Sequence, residues 1–410
     1  MEHETRREFD TRMTPSLKNP GPSVYEVRSD WKGQRRDQPW WPNIPIPMFG
    51  EFALKVIAHP GPGRTLELEC PATRAGPGAP RSWLYFPAMK TIRLGRTNTQ
   101  VSAVSLGTWG HGGPNMSGEA SVGWSGNDDS EATAALIRAY ELGIRHWDTA
   151  DVYGRGHAEE LIGAVWGRVA RKDIFLATKV GWEKGEFDHA YHPKLMERQL
   201  AASLRNLRTD SVDLYYFHHC DFGENGQYFD DALATMQRFR EQGKFRFLGL
   251  SDWDSSKIMR FIDRADPDVV QPYRNVVDDQ YVSSGLQNWI DQHDVGVAFF
   301  SPLRHGLLLG KYAQAILFPE GDFRRGVEGF NDPAVIARMQ VARAAVENRF
   351  RDHPEPVLHA LTGALLADAP TGCVLLGQRN TKQVEAAGKL GEALSLGEAE
   401  WVRTTYESKT

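Results

Sequence analysis

Cysteine is scarce: Cys70, Cys220 and Cys373 are the only three in 410 residues. They are far apart, odd in number and without CxxC spacing, which excludes a disulfide-stapled scaffold and a cysteine-based zinc or redox motif. No apolar run reaches about 18 residues, so no membrane span is expected. The N-terminus, MEHETRREFDTRM, lacks the apolar segment of about 7 to 15 residues that an export signal needs. A reducing, cytoplasmic compartment is therefore the expectation. A dominant charge is missing too. A net charge of -5 over 48 basic and 53 acidic residues gives no global basic field, so neither nucleic acid nor an anionic membrane is an expected partner. There is no GxGxxG run, and GLLLGKY is one residue short of phosphate-loop spacing, with Tyr312 where Ser or Thr would stand. Any nucleotide must be held outside a Rossmann or P-loop frame.

The chain divides by texture. Residues 1–88 carry thirteen of the 23 prolines and sustain no periodic core pattern. They read as a proline-rich, loosely ordered N-terminal extension, in which FALKVIAH and TLELEC suggest at most a hairpin across HPGPGR. From Met89 onward, strand-like runs alternate with helical stretches, which is the signature of parallel βαβ units. KTIRLG and TQVS read as a short hairpin on the barrel floor. Eight strands then follow: SAVSLGT, IRHWDTA, IFLATKV, VDLYYFHH, FRFLGLS, VVQPYRN, VGVAFFSP and GCVLLG. In PKLMERQLAASLRNL, Met196, Leu200, Leu204 and Leu207 fall on one helical stripe, and Pro193 suits the first helical position. Eight apolar strands with intervening helices predict a (β/α)₈ TIM barrel over residues 89–410, and about 250 residues suffice for one.

In such a barrel, polar residues at the C-terminal ends of strands are candidates for chemistry. Asp148 ends the second strand and Tyr153 follows it, Lys179 ends the third, and His218 ends the fourth. A free phenol has a pKa near 10. A neighbouring Lys179 ammonium is expected to lower it, Asp148 to keep that lysine charged, and His218 to orient a substrate oxygen. Each residue also has a bland alternative: Asp148 pairing with Arg145, Lys179 in an ordinary salt bridge, Tyr153 exposed, His218 satisfied in the core. Four bland roles in the order the chemistry needs is the less economical reading.

The runs GIRHWDTADVYGRGHAEELIG, LATKVG, VDLYYFHH, GKFRFLGLSDW, FFSPLRHGLLLGKY and VLLGQRNTKQVEAA resemble, in order, the motif series of aldo-keto reductases, over roughly residues 89–387. The resemblance implies that Tyr153 is the general acid/base of a tetrad completed by Asp148, Lys179 and His218, with a nicotinamide cofactor lying across the barrel mouth. It further implies that Ser251, Asp252 and Gln271 hold the carboxamide and that Phe300 stacks on the ring. Ser301, Leu303, Gly306 and Lys311 would surround the pyrophosphate, and Gly377, Gln378, Arg379 and Gln383 the adenosine ribose. An arginine at 379 can grip a 2′-phosphate, which favours NADPH, with NADH the alternative. Two departures stand out. Asp252 replaces the family's usual asparagine, an anion that would favour oxidised nicotinamide and alcohol oxidation. Ala386 and Ala387 replace the usual acid-amide pair near the adenine.

Trp109 and His111 after the first strand, Trp182 after the third, His219 beside His218, and Trp253 after Asp252 are the candidate substrate residues. Three indoles at one mouth would give flat apolar walls for sugar rings or aromatic aldehydes. His218 and His219 point to opposite faces of a strand and do not make a metal site. Arg324 and Arg325 read as a solvated edge. The expected activity is NADP(H)-dependent interconversion of a carbonyl (aldehyde, ketone or sugar) and an alcohol, by a monomer or homo-oligomer. The alternative is a nicotinamide-binding regulatory subunit resembling potassium-channel β subunits.

Overall fold

The computed structural model describes residues 89–407. The N-terminal extension, Cys70 and the suggested FALKVIAH/TLELEC hairpin lie outside them. Eight parallel strands close into a barrel: Val104–Gly107, His146–Asp148, Phe175–Val180, Val212–Phe217, Phe245–Asp252, Val269–Pro272, Gly296–Phe299 and Gly372–Gly377. Their order around the barrel is their order in the chain, and the eighth closes on the first with Val374 opposite Val104. All eight segments expected from the sequence take their places. The strands read as continuous apolar runs because both faces are covered, and Phe175–Val180 is buried at every position.

Thr91–Arg93 pairs antiparallel with Gln100–Ser102, which is the expected floor hairpin. Its Leu94 and Val101 plug the bottom of the barrel and meet Phe175, Leu214, Val269 and Ala298. A larger apolar layer fills the space between strands and helices. The helix Pro193–Asn206 shows how sequence builds that layer. His192 caps its N-terminus, Pro193 opens it, and Leu195, Met196 and Leu200 are buried along one stripe.

Two long loops rise from the C-terminal face, one after the first strand and one after the seventh. They meet through a bridge from Gly123 to Asp322 and through the Phe323 amide, which donates to the Gly123 carbonyl at 2.8 Å. Asp322 is fully buried and also accepts from the Ser125 amide and hydroxyl and from Arg324. Arg324 therefore corrects the expectation of a solvated edge. It is buried, ion-paired to Asp322, and stacked over Trp124 at 4.5 Å and Phe318 at 4.0 Å. A short-range carboxylate partner and two aromatic faces make burial of a guanidinium tolerable. Arg325, its neighbour, is exposed. Among the described residues no helix is long and apolar enough to cross a membrane, and no group of three or more His, Cys, Asp and Glu could hold a metal ion.

Candidate active site

The second strand ends on Asp148, and the turn that follows carries Tyr153 back over the barrel mouth before the helix His157–Ala164 begins. Lys179 is the penultimate residue of the third strand and is 1% exposed. Its ammonium donates to Asp148 Oδ1 at 2.5 Å, to the Thr149 carbonyl at 2.8 Å and to the Tyr153 hydroxyl at 3.3 Å. Those three bonds use all the hydrogens a lysine has. Gln271, from the sixth strand, donates to the other oxygen of Asp148 at 2.8 Å. The alternative partner for Asp148 is occupied elsewhere, since Arg145 donates to the Tyr140 carbonyl and lies over the Tyr140 ring. His218 follows the fourth strand, with its ring edge-on to Tyr153 at 5.8 Å between centroids.

Burial penalises the charged forms of all four groups. It would depress Lys179, but Asp148 and then Tyr153 hold the ammonium above its ordinary value. It also keeps the Asp148 carboxyl above the usual carboxylate range despite Lys179. Tyr153 departs from the sequence expectation. Burial raises its pKa, and Lys179 only partly offsets the rise because Asp148 beside it pushes the other way. The phenol is therefore a protonated donor at neutral pH. Burial, reinforced by Lys179 and His219, drives His218 well below 6.5, so its imidazole is neutral.

Above these groups lies a cleft of about 480 Å³. Tyr153, His218, Ser251 and Gln271 give it its polar atoms. Trp109, Trp182, Trp253, Phe300, Phe323, Val122 and Val152 give it apolar walls. Trp109 stacks on Tyr153 at 5.9 Å with an interplanar angle of 18°, and its indole N–H donates to the Val122 carbonyl at 2.9 Å. Val122 and Phe323 escaped the sequence reading. They are ordinary loop residues 201 positions apart in sequence, brought to one wall only by the Asp322 clasp, and no motif marks them.

Other sequence candidates fall away from the cleft. His111 is fully buried behind Trp109, where Nε2 is 2.9 Å from the Gln378 carbonyl and burial pulls its pKa down to about 4. His219 packs against Trp182 and Tyr191, and its carbonyl accepts from the Tyr191 hydroxyl. Asp252 does not line the cleft. Its Oδ2 accepts from the Cys220 amide at 2.7 Å and its Oδ1 from the Asp254 amide at 2.9 Å. Period-2 alternation explains this: Ser251 faces the cleft, so the next residue faces away. The Gln378 side chain also turns inward, donating to the Ser105 carbonyl at 3.1 Å and the Leu376 carbonyl at 3.3 Å.

Around the rim, the loop after the seventh strand takes up left-handed conformations at Ser301, Arg304, His305 and Gly306. Gly306, at φ +93°, has open space where a side chain would project. Lys311 is exposed at the rim, and partial desolvation together with Arg324 and Arg379 lowers its pKa. Arg379, whose amide donates to Gln383 Oε1 at 2.8 Å, is depressed by burial and by Arg324. Three cations thus repel one another across this rim, and Asp322 is the counter-ion paired to Arg324. That arrangement fits a polyanion such as a dinucleotide's phosphates. Ala387 is buried at the end of the helix Thr381–Ala387, and Ala386 beside it is half-buried.

The fold and site define a (β/α)₈ barrel carrying a buried lysine–carboxylate pair under a phenol at an aromatic mouth. The family model for the aldo/keto reductase family matches residues 103–404, and the chain belongs to that family. An aldo-keto reductase of Schizosaccharomyces pombe, named for NADP(+), is 32% identical over 247 residues, covering 58% of this chain and 68% of the relative. A probable voltage-gated potassium channel β subunit of Oryza sativa is 28% identical over 255 residues, covering 60% and 73%. Among solved structures, a glycerol dehydrogenase of Gluconobacter oxydans superposes with a TM-score of 0.64 at 27% identity, covering 77% of this chain and 94% of the other.

Proposed function

We propose that this oxidoreductase interconverts a carbonyl (aldehyde, ketone or sugar) and an alcohol with NADP(H), using Tyr153 as the general acid/base. The observation that carries the reading is the Lys179 ammonium, bonded at once to Asp148, the Thr149 carbonyl and the Tyr153 hydroxyl beneath an apolar cleft. Phe300, Gln271 and Ser251 would hold a nicotinamide against the cleft, and the 301–306 loop, Lys311 and Arg379 would take the phosphates. The cofactor supplies hydride for reduction and accepts it for oxidation.

The remaining chemistry belongs to the chain. His218, neutral and on the cleft wall, orients the substrate oxygen. Tyr153 donates its proton to that oxygen, and the phenolate left behind is stabilised by Lys179, whose charge Asp148 holds in place. Water is kept off the reacting oxygen by Trp109, Trp182 and Trp253. A phenol that stays protonated at neutral pH supports the reductive direction. Asp252 gives no counter-argument, because both its oxygens are engaged with backbone amides rather than turned to the cleft.

The test is turnover across a panel of neutral aldehydes, ketones and sugars with NADPH and NADH side by side. Tyr153→Phe should lower kcat about 10²- to 10⁴-fold while NADPH still quenches tryptophan fluorescence. Quenching without turnover on any substrate would replace this reading with the regulatory-subunit alternative, which the rice relative motivates.

A further inference from the structure

The cleft wall and the rim cations are mechanically joined. Arg379 Nη1 donates to the Ser125 carbonyl at 3.0 Å, and its guanidinium stands 6.0 Å from the Trp124 ring. Its aliphatic stem lies so close to Gly110 that a Cβ there would come within 2.5 Å of Arg379 Cδ. Gly110 follows Trp109, the indole stacked on Tyr153. Ser125, in turn, gives its amide and hydroxyl to Asp322 at 2.9 and 2.6 Å, and Phe323 of the cleft wall is the next residue. One cation therefore touches the loop after the first strand directly, and reaches the loop after the seventh through the hydrogen bonds from Ser125 to Asp322.

From these contacts we infer that Asp322 and Arg379 couple the phosphate end of the cofactor site to the substrate wall, with Asp322 a positioning residue for Phe323 and Val122. The inference rests on the reading that Arg379 receives a 2′-phosphate. A guanidinium has five donors, so Arg379 can hold a phosphate with the hydrogens that do not reach Ser125. An anion there fixes the guanidinium, and with it the Ser125 carbonyl, the Asp322 clasp and Trp109. By linkage, a 2′-phosphorylated ligand must tighten a substrate's hold on the cleft by the same factor by which the substrate tightens the ligand's.

The test uses the full chain and two adenosine probes, adenosine 2′,5′-bisphosphate and 5′-AMP, with amide hydrogen exchange as the readout. The bisphosphate, and not 5′-AMP, is expected to slow exchange about fivefold or more in residues 113–126 and 321–326. Asp322→Asn should abolish that protection, shift bisphosphate affinity by less than about twofold, and raise KM for a neutral aromatic aldehyde more than it lowers kcat. Ser125→Ala removes only the hydroxyl half of the clasp and gives the same readout in weaker form if Asp322→Asn does not fold. Tighter bisphosphate binding with no loop response, or equal protection in both variants, overturns the coupling alone. If the bisphosphate binds no better than 5′-AMP, the assignment of Arg379 to a 2′-phosphate falls and takes the coupling with it.

Discussion

Lys179 and Asp148 form a buried pair in which each satisfies the other, and removing one partner exposes the cost of the other. Lys179→Met would leave Asp148 with Gln271 as its remaining donor in a site almost closed to water. We expect a loss of about 3 to 5 kcal/mol at pH 7.5. The sign with pH follows from Asp148, whose folded pKa is already raised and would rise further without the lysine. A protonated carboxyl is the form that this variant tolerates, so its deficit relative to wild type should shrink as pH falls from 7.5 to 5. Urea denaturation of both proteins at the two pH values decides it, and a deficit independent of pH would sink the argument. Asp252→Asn keeps one acceptor oxygen where the carboxylate uses two, so either the Cys220 or the Asp254 amide loses its partner. The expected cost is about 1 to 3 kcal/mol of stability, with little change in the ratio of oxidised to reduced cofactor affinity. A large change in that ratio would show that Asp252 does reach the nicotinamide.

The loop after the seventh strand carries His305 into an aromatic nest of Trp109, Trp253 and Phe323. Burial there, with Arg304 and Arg324 adding to it, pulls His305 from 6.5 to about 3. A base depressed on folding binds its proton in the unfolded chain first. Its neutral form therefore imposes no penalty above pH 6.5, and stability is lost as pH falls from there toward 3, at about 1.4 kcal/mol per unit. His305→Phe keeps the flat ring and removes the titration. Between pH 7.5 and 5 the wild type should lose about 2 kcal/mol from this group that the variant does not. Parallel denaturation curves at the two pH values would show this as a difference of differences, and an unchanged gap would remove His305 as a source of acid sensitivity in this loop.

The closed ladder runs from Val104 to Gly377, the floor hairpin closes the apolar cluster inside the barrel, and the helix Leu396–Glu407 joins the apolar layer outside it. A protein beginning at Tyr85 should accordingly fold in a single cooperative transition and keep the carbonyl activity of the full chain. Comparing far-UV dichroism melts and specific activity of the two proteins checks this, and a truncated chain that is soluble but unfolded would mean that the barrel draws stability from the first 84 residues.

What could be read from the sequence was what short-range pattern dictates. Each strand declared itself as an apolar run between turn signals, Pro193 and His192 set a helix start, and Asp148, Tyr153, Lys179 and His218 were found because strand ends in a barrel face one mouth. Alternation should also have flagged Asp252, since a residue next to a cleft-facing serine on the same strand must turn away. The phenol's pKa, the company kept by Arg324, the burial of His111, and the wall made by Val122 and Phe323 were decided only in three dimensions. Each depends on what distant parts of the chain bring alongside: desolvation and the Asp148 charge opposing Lys179 for Tyr153, Trp124 for Arg324, the Gln378 carbonyl for His111. Sequence specifies which groups can titrate and which way a strand points them. Burial and long-range partners, which set the sign of a pKa shift and the shape of a pocket, are properties of the closed barrel.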